Sequence, residues 1–202
     1  MKKYSIILLF YTFIFPSFQY IIDQESEEPL SNFKFGKNYA IQKIENHQKK
    51  PIIDGVLDDF IWQDIIPIED FIQRDPNIFE NPTFKTEVKL LYDQKHIYLY
   101  AKLYHDEPKN IAKHVCRRDD WVACFDKAAD WFSFELDPIH NHHSGYVFAV
   151  NASGVQIDAL IFDDSEYDGE WNGVWSSEVS IDNDGWNIEM MIPFSNLNYK
   201  SK

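Results

Sequence analysis

Several groups of residues have types and spacing that bear on chemistry. Asp163, Asp164, Glu166, Asp168 and Glu170 crowd one segment. Hard cations favour clustered carboxylates and carbonyls, so Asp163, Asp164 and Asp168 are candidate ligands for a structural calcium ion; the other reading is a solvated acidic loop. The run from Asp164 to Gly169 resembles the start of an EF-hand, but its twelfth position is Trp175 rather than Glu, so that motif fails. Asp182-Asn183-Asp184-Gly185 fails in the same way and reads as a hairpin turn. His140, His142 and His143 fall in one loop, either as a solvated turn or as a transition-metal site. Cys116 and Cys124 bracket seven residues, and two readings stand: a bridge in an oxidising compartment, or two thiols.

The indoles are a further group. Trp171 and Trp175 lie in a Gly-punctuated acidic segment, Asp168-Gly169-Glu170-Trp171-Asn172-Gly173-Val174-Trp175. Trp171 is expected in a loop; Trp175 is either exposed beside it or the buried start of a strand. Trp62 and Trp186 read as core. Catalysis has little to stand on. With 33 acidic residues, a pair of carboxyls suited to glycoside hydrolysis is trivial to find and proves nothing. No nucleophile elbow, phosphate loop or HExxH zinc motif is present, and no Cys/His nucleophile pattern.

Composition bounds the rest. The chain has 202 residues, enough for one domain with a sizeable core. A formal net charge of −14 argues against nucleic acid as a partner, because a polyanion is repelled by a surface of that sign. Apolar residues at 45% rule out a wholly disordered acidic chain.

The elements that must position these side chains can be read from periodicity. Residues 1–20 have a basic start at Lys2 and Lys3 and an apolar run ended by Pro16, the pattern of a secretory signal peptide; an uncleaved anchor is the alternative. No later segment is apolar for long enough to span a bilayer as a helix. The expected localisation is therefore export: periplasm, outer membrane or cell surface. Residues 21–38 read as an acidic leader, and residues 39–202 as the folded domain. Residues 57–66 have the spacing of a short helix stopped by Pro67. Beyond it the pattern alternates. Residues 87–92 and 96–104 make a hairpin about Asp93-Gln94-Lys95, with Ile97, Leu99, Ala101 and Leu103 on one face and Tyr98, Tyr100, Lys102 and Tyr104 on the other. Residues 131–137 alternate likewise. Residues 146–151 pair with 155–162 about a turn at 152–154, and 174–181 with 186–192 about 183–185. Turns at this spacing predict an all-β fold, an antiparallel β-sandwich with one short helix near its start. The end at Lys202 follows a strand closely, and a fragment of a longer polypeptide is expected.

These residues resemble a family 9-type carbohydrate-binding module, in the version found at the N-terminus of larger bacterial surface proteins. The opening Ile53-Asp54-Gly55-Val56-Leu57-Asp58-Asp59-Phe60-Ile61-Trp62 resembles the family's start. Asp70-Phe71-Ile72-Gln73-Arg74-Asp75-Pro76, Asp106-Glu107-Pro108, Arg118-Asp119, Asp130-Trp131 and Leu136-Asp137 follow in the family's order. So do Phe148-Ala149-Val150-Asn151-Ala152-Ser153-Gly154, Trp171-Asn172-Gly173-Val174-Trp175 and Ile192-Pro193-Phe194. The resemblance covers roughly residues 50–199. Two departures are the insert 139–144 (IHNHHS) and the absence of an Arg after Leu197.

The resemblance implies a β-sandwich that binds an oligo- or polysaccharide without catalysis and is linked to glycan breakdown outside the cytoplasm. It also implies a membrane-type β-barrel further along the polypeptide. Related modules hold a sugar between aromatic rings, which makes Trp171, Trp175 and Trp131 the candidates for its CH-rich faces. Arg118, Glu135, Asn151 and Gln156 are the candidates for its hydroxyl edges, each with the alternative of a surface charge or a turn-capping amide. Asn151-Ala152-Ser153 also spells a glycosylation sequon, which is set aside because the chain looks bacterial. Two other functions remain in play: the front part of a glycan-degrading hydrolase, and a sandwich that binds haem b through Met190 or Met191. Adjacent strand residues point to opposite faces, so one of these methionines should be core and the other outside.

Overall fold

Strict alternation over residues 86–104 makes one face of a hairpin apolar, and Asp93 fixes its turn: Oδ1 accepts the N–H groups of Lys95 and His96, each at 2.7 Å. The computed structural model describes residues 39–73, 76–77, 79–124, 129–141, 143–163 and 166–198. The expected signal segment, the acidic leader, Asp164, His142 and residues 199–202 lie outside the described residues.

Among the described residues, nine strands form two sheets. The first has the order β1-β2-β3-β9-β8, where β1 is Gln42–Lys43, β2 Thr86–Tyr92, β3 His96–Tyr104, β8 Ser176–Ile181 and β9 Gly185–Pro193. The second is β4-β5-β6-β7: Trp131–Leu136, Gly145–Asn151, Gln156–Phe162 and Glu166–Asp168. Every pairing is antiparallel except β1 with β2. The strands expected from the sequence are present, and β7 is an addition that three residues were too few to signal. The glycine of the β8–β9 turn is obligatory. Gly185 has φ +147°, and a Cβ there would collide with the Leu103 carbonyl oxygen.

The main core lies between the sheets. Leu90, Leu99, Ile188 and Met190 from the first meet Phe134, Phe148 and Val150 from the second. Each such burial contributes about 1.5–3 kcal/mol of transfer free energy. Alternation also decides the methionines: Met190 is fully buried in this core, while Met191 packs on the other side of its sheet.

Both outer faces are covered as well. Across the first sheet, Ile44, Trp62 and Ile65 close over Leu91, Tyr98 and Tyr100. Glu189 anchors this strap. Its Oε1 accepts Trp62 Nε1 at 3.0 Å, and its Oε2 accepts the N–H groups of Asp54 and Gly55, each at 3.0 Å. The helix expected over residues 57–66 is reduced here to a single 3-10 turn, Phe60–Trp62. The reason is local competition. Asp59 uses its carboxylate on the Ile52 N–H at 2.6 Å, and Lys89 takes the Trp62 carbonyl at 2.9 Å. Phe60 and Ile66 are left 75% and 88% exposed, so the apolar spacing does not form one buried stripe. The α-helical turn among the described residues is instead α1, Trp121–Cys124. It lies on the outer face of the second sheet with Val147, Ala149, Ile157 and Ala159.

Candidate functional site

Alternation along β4 sends Phe132, Phe134 and Leu136 into the main core and Trp131, Ser133 and Glu135 to the outer face. Register then places their neighbours. Trp131 lies opposite Asn151, Ser133 opposite Ala149, and Glu135 opposite Val147. On β6, Ile157 lies opposite Ala149 and Ala159 opposite Val147. The outer face of the second sheet is thus an aliphatic floor with a file of Trp, Ser and Glu along one edge. At the other edge stand Trp121 and Tyr167, with ring centroids 6.2 Å apart and planes at 57°. Trp131, Trp121 and Tyr167 are all half-buried against this floor.

Glu135 is the chemical anomaly of this face. It is only 5% exposed, and among the described residues its hydrogen-bond partner is the Ser133 hydroxyl, which donates at a long 3.5 Å. Burial pushes its carboxyl up to about 7, and the Ser133 hydroxyl pulls the other way. A carboxyl in that position is a strong hydrogen-bonding group, and Ser133 is the partner it has among the described residues.

The remaining candidates fall elsewhere. Trp175 is 7% exposed, and its ring meets Phe148 edge-on at 5.4 Å. Its Nε1 donates to Asp158 Oδ2 at 2.6 Å, and Asp158 Oδ1 accepts the Gly173 N–H at 3.0 Å. The expectation that Trp175 lines a cleft is corrected: its indole is core. Trp171 is half-buried and sets its edges against Tyr146 and Phe148, at 5.2 and 5.9 Å. Gly173 is needed beneath it, since a Cβ would come 2.7 Å from the Trp171 ring. Phe148 faces the inside of the sandwich, whereas Trp131 lies on the outside. The sheet itself therefore separates Trp131 from the Trp171–Trp175 pair, and the three indoles do not line one cleft.

Arg118 and Gln156 are brought together with Trp175, but as a lock. Arg118 donates from Nη1 to Gln156 Oε1 at 2.7 Å and from Nη2 to the Gly173 carbonyl at 2.9 Å and to Asp158. Its Nε lies 3.4 Å from Asp119. Gln156 Nε2 donates onward to Ser177 Oγ at 2.9 Å. Asn151 is fully buried and shapes its own turn. Its Oδ1 accepts from Ser153 N and Val155 N at 2.9 and 3.0 Å, and its Nδ2 donates to the His114 carbonyl at 2.8 Å. Asn151, Arg118 and Gln156 thus have their polar groups committed to the fold, and the sequon at Asn151 is sealed.

The loop chemistry resolves in the same direction. Cys116 and Cys124 are bridged, with Cα atoms 5.8 Å apart. Among the described residues no three His, Cys, Asp or Glu side chains gather to hold a metal. Asp163 is exposed, Asp168 Oδ1 accepts the Glu170 N–H at 3.0 Å, and Asp164 lies outside the described residues. The N–H groups of His140 and His143 likewise bond Asp137 and Asn141 within their turn.

Of the sequence candidates, Trp131 and Glu135 lie on this face, which they share with Ser133, Trp121 and Tyr167, residues that the sequence did not single out. Ser133 was implied by its position two residues from Glu135 on one strand. Trp121 carried no signal beyond its place between the two cysteines.

No known family's sequence profile matches this chain, and no curated protein does. Solved structures do. A carbohydrate binding module of family 9 from Caldicellulosiruptor kristjanssonii, in complex with cellotriose, superposes with a TM-score of 0.51 at 16% identity, covering 76% of this chain and 66% of that one. The family 9 module from the same organism in complex with glucose gives 0.51 at 17%, covering 80% and 72%. A Bacteroides uniformis protein gives 0.54 at 13%, covering 77% and 72%. This chain spans just under two thirds of the cellotriose-bound module. At such identities the likeness is one of fold: an all-β sandwich of the family 9 type.

Proposed function

We propose that this protein is a non-catalytic carbohydrate-binding domain whose site is the outer face of the second sheet, with Trp131 and Glu135 as its principal contacts. The observation that carries the reading is Glu135. A carboxylate that is 5% exposed, with one long bond to Ser133, destabilises the sheet where a Val or Thr would pack well. A ligand that reaches this edge of the sheet would add hydrogen bonds to that carboxyl. A pyranose fits: its hydroxyl edge pairs with Glu135 and Ser133, and its CH-rich face lies on a half-buried indole. The two family 9 modules that share the fold were solved with cellotriose and with glucose, which supports a sugar as the ligand class.

The wider setting belongs to the same proposal. The domain is exported, serves glycan breakdown in the periplasm or at the cell surface, and precedes a membrane β-barrel in a longer polypeptide. The signal-like pattern of residues 1–20 supports export. Calorimetric titration with mono- and oligosaccharides of glucose, xylose and their amino derivatives tests the binding reading. Heat of binding that is lost in Trp131→Ala with the fold intact supports it; silence across the whole set refutes it.

A further inference from the structure

The outer face of the first sheet carries a chemistry that sugar binding does not use. Register sets Lys102 on β3 directly opposite Asn187 on β9. Tyr100 lies two residues from Lys102, on the same face. Lys102, Asn187 and Tyr100 are all buried, at 7%, 6% and 3% exposure. Asp182, in the turn between β8 and β9, joins them. Its Oδ1 and Oδ2 each accept Lys102 Nζ at 2.6 Å, and Oδ2 also accepts Asn187 Nδ2 at 2.9 Å. On the other side of the amide, the Tyr100 hydroxyl donates to Asn187 Oδ1 at 2.6 Å. Ser180 Oγ accepts Nδ2 as well, at 3.1 Å, which fixes the amide plane.

An amine, an amide and a carboxylate gathered in this way are the parts of an acyl transfer. A lysine amine is a nucleophile. A carboxylate bonded to both the attacking and the leaving nitrogen carries protons between them. A hydroxyl that donates to the amide oxygen stabilises the oxyanion that attack creates. We propose that Lys102 and Asn187 join in an intramolecular isopeptide bond, which the folded domain forms on itself. Asp182 takes a proton from Nζ, whose lone pair attacks Asn187 Cγ. Negative charge gathers on Oδ1 against the Tyr100 hydroxyl. The Nζ–Cγ bond forms and the Cγ–Nδ2 bond breaks. Asp182 relays two protons in turn from Nζ to Nδ2, so the nitrogen leaves as ammonium and the carboxylate is restored. Burial raises Asp182, but its bonds from Lys102 and Asn187 outweigh burial and hold it down to about 2, so the first proton moves uphill. A bond made once per molecule tolerates a slow step, and fixed neighbours have already met the entropy cost of encounter. The product staples β3 to β9, which are neighbours inside the first sheet.

Mass spectrometry of the purified whole chain, reduced and denatured, tests this. The wild type is expected to be lighter than its sequence by one ammonia. Trypsin should leave the bond after Lys102 uncut, and the peptide containing Lys102 should be found joined to the one containing Asn187. Lys102→Arg keeps a cation for Asp182 but no amine for the attack, so it should show its full, unlinked mass. Asp182→Asn removes the relay and should lower the linked fraction by about tenfold or more. A wild type at its full mass, cut by trypsin after Lys102, overturns the proposal. So does a loss of ammonia that persists in Lys102→Arg, because its source then lies elsewhere. An undiminished linked fraction in Asp182→Asn overturns Asp182 as the relay.

Discussion

Trp175 and Asp158 form a buried pair in which the indole Nε1 donates to the carboxylate Oδ2 at 2.6 Å, with both residues withdrawn from solvent. The same carboxylate receives Arg118 and the Gly173 N–H, so one side chain ties the 117–119 loop, β6 and the 170–175 segment together. This junction takes up three of the polar and aromatic residues that the sequence offered for ligand binding.

Removing the hub should therefore unfold the domain rather than silence a site. Asp158→Ala leaves Arg118, Trp175 and the Gly173 N–H without their acceptor, an effect of about 3–5 kcal/mol. Urea denaturation should show the midpoint falling sharply. A near-normal midpoint would mean that the network adds little.

The indoles should respond differently. Trp175→Ala opens a cavity in the core and should cost about 3–5 kcal/mol, with any loss of sugar affinity following loss of fold. Trp131→Ala removes a half-buried ring from the outer face, with a smaller stability cost of about 1–2 kcal/mol. It should lower oligosaccharide affinity at least tenfold. Parallel thermal melts and calorimetry on the two variants separate these outcomes. Affinity that is unchanged in Trp131→Ala moves the site off this face.

Glu135 gives stability a distinctive pH dependence. Its folded-state pKa lies near 7, above the unfolded value of about 4.5, because burial disfavours the ionised form. Between those values the folded state holds a proton that the unfolded state has released. Stability from this group is thus full below about pH 4.5 and declines as pH rises to about 7. The total is on the order of 3 kcal/mol. Asp93 acts with opposite sign. Burial raises it, but Lys50 and the N–H groups of Lys95 and His96 outweigh burial and hold it well below the usual carboxylate range. Its contribution is full above about pH 4 and is lost progressively as pH falls below that. Melts from pH 3 to 9 should show a maximum in mildly acidic buffer, and Glu135→Gln should flatten the limb above it. A limb unchanged by that substitution would contradict the burial of the carboxyl.

The bridge between Cys116 and Cys124 closes a small loop carrying Arg118 and Trp121. Loop-closure entropy for a ring of this size predicts about 2–3 kcal/mol. Cys116→Ser with Cys124→Ser should lower the unfolding free energy by that amount. Mass spectrometry of the alkylated wild type should find no free thiol before reduction; alkylation of both cysteines in unreduced, properly folded protein would count against the bridge.

Alternation along the chain was sufficient to lay out the hairpins, the sandwich class and even the division of Met190 from Met191, because a strand's side chains obey a period of two wherever one face is buried. It was also sufficient to offer Trp131 and Glu135. Tertiary structure alone decided which polar residues are committed to the fold. Arg118, Asn151 and Gln156 look the same in sequence as Glu135 does: polar groups near turns or on strands. Arg118 and Gln156 meet Asp158 and Ser177, Asn151 turns back on its own hairpin, and Glu135 meets, among the described residues, the Ser133 hydroxyl. Those partners come from segments up to 55 residues away, as Arg118 and Gly173 show. Local pattern cannot encode such distances. The same holds for the indoles, where the side of the second sheet on which each ring lands separates Trp175 in the main core from Trp131 on the outer face.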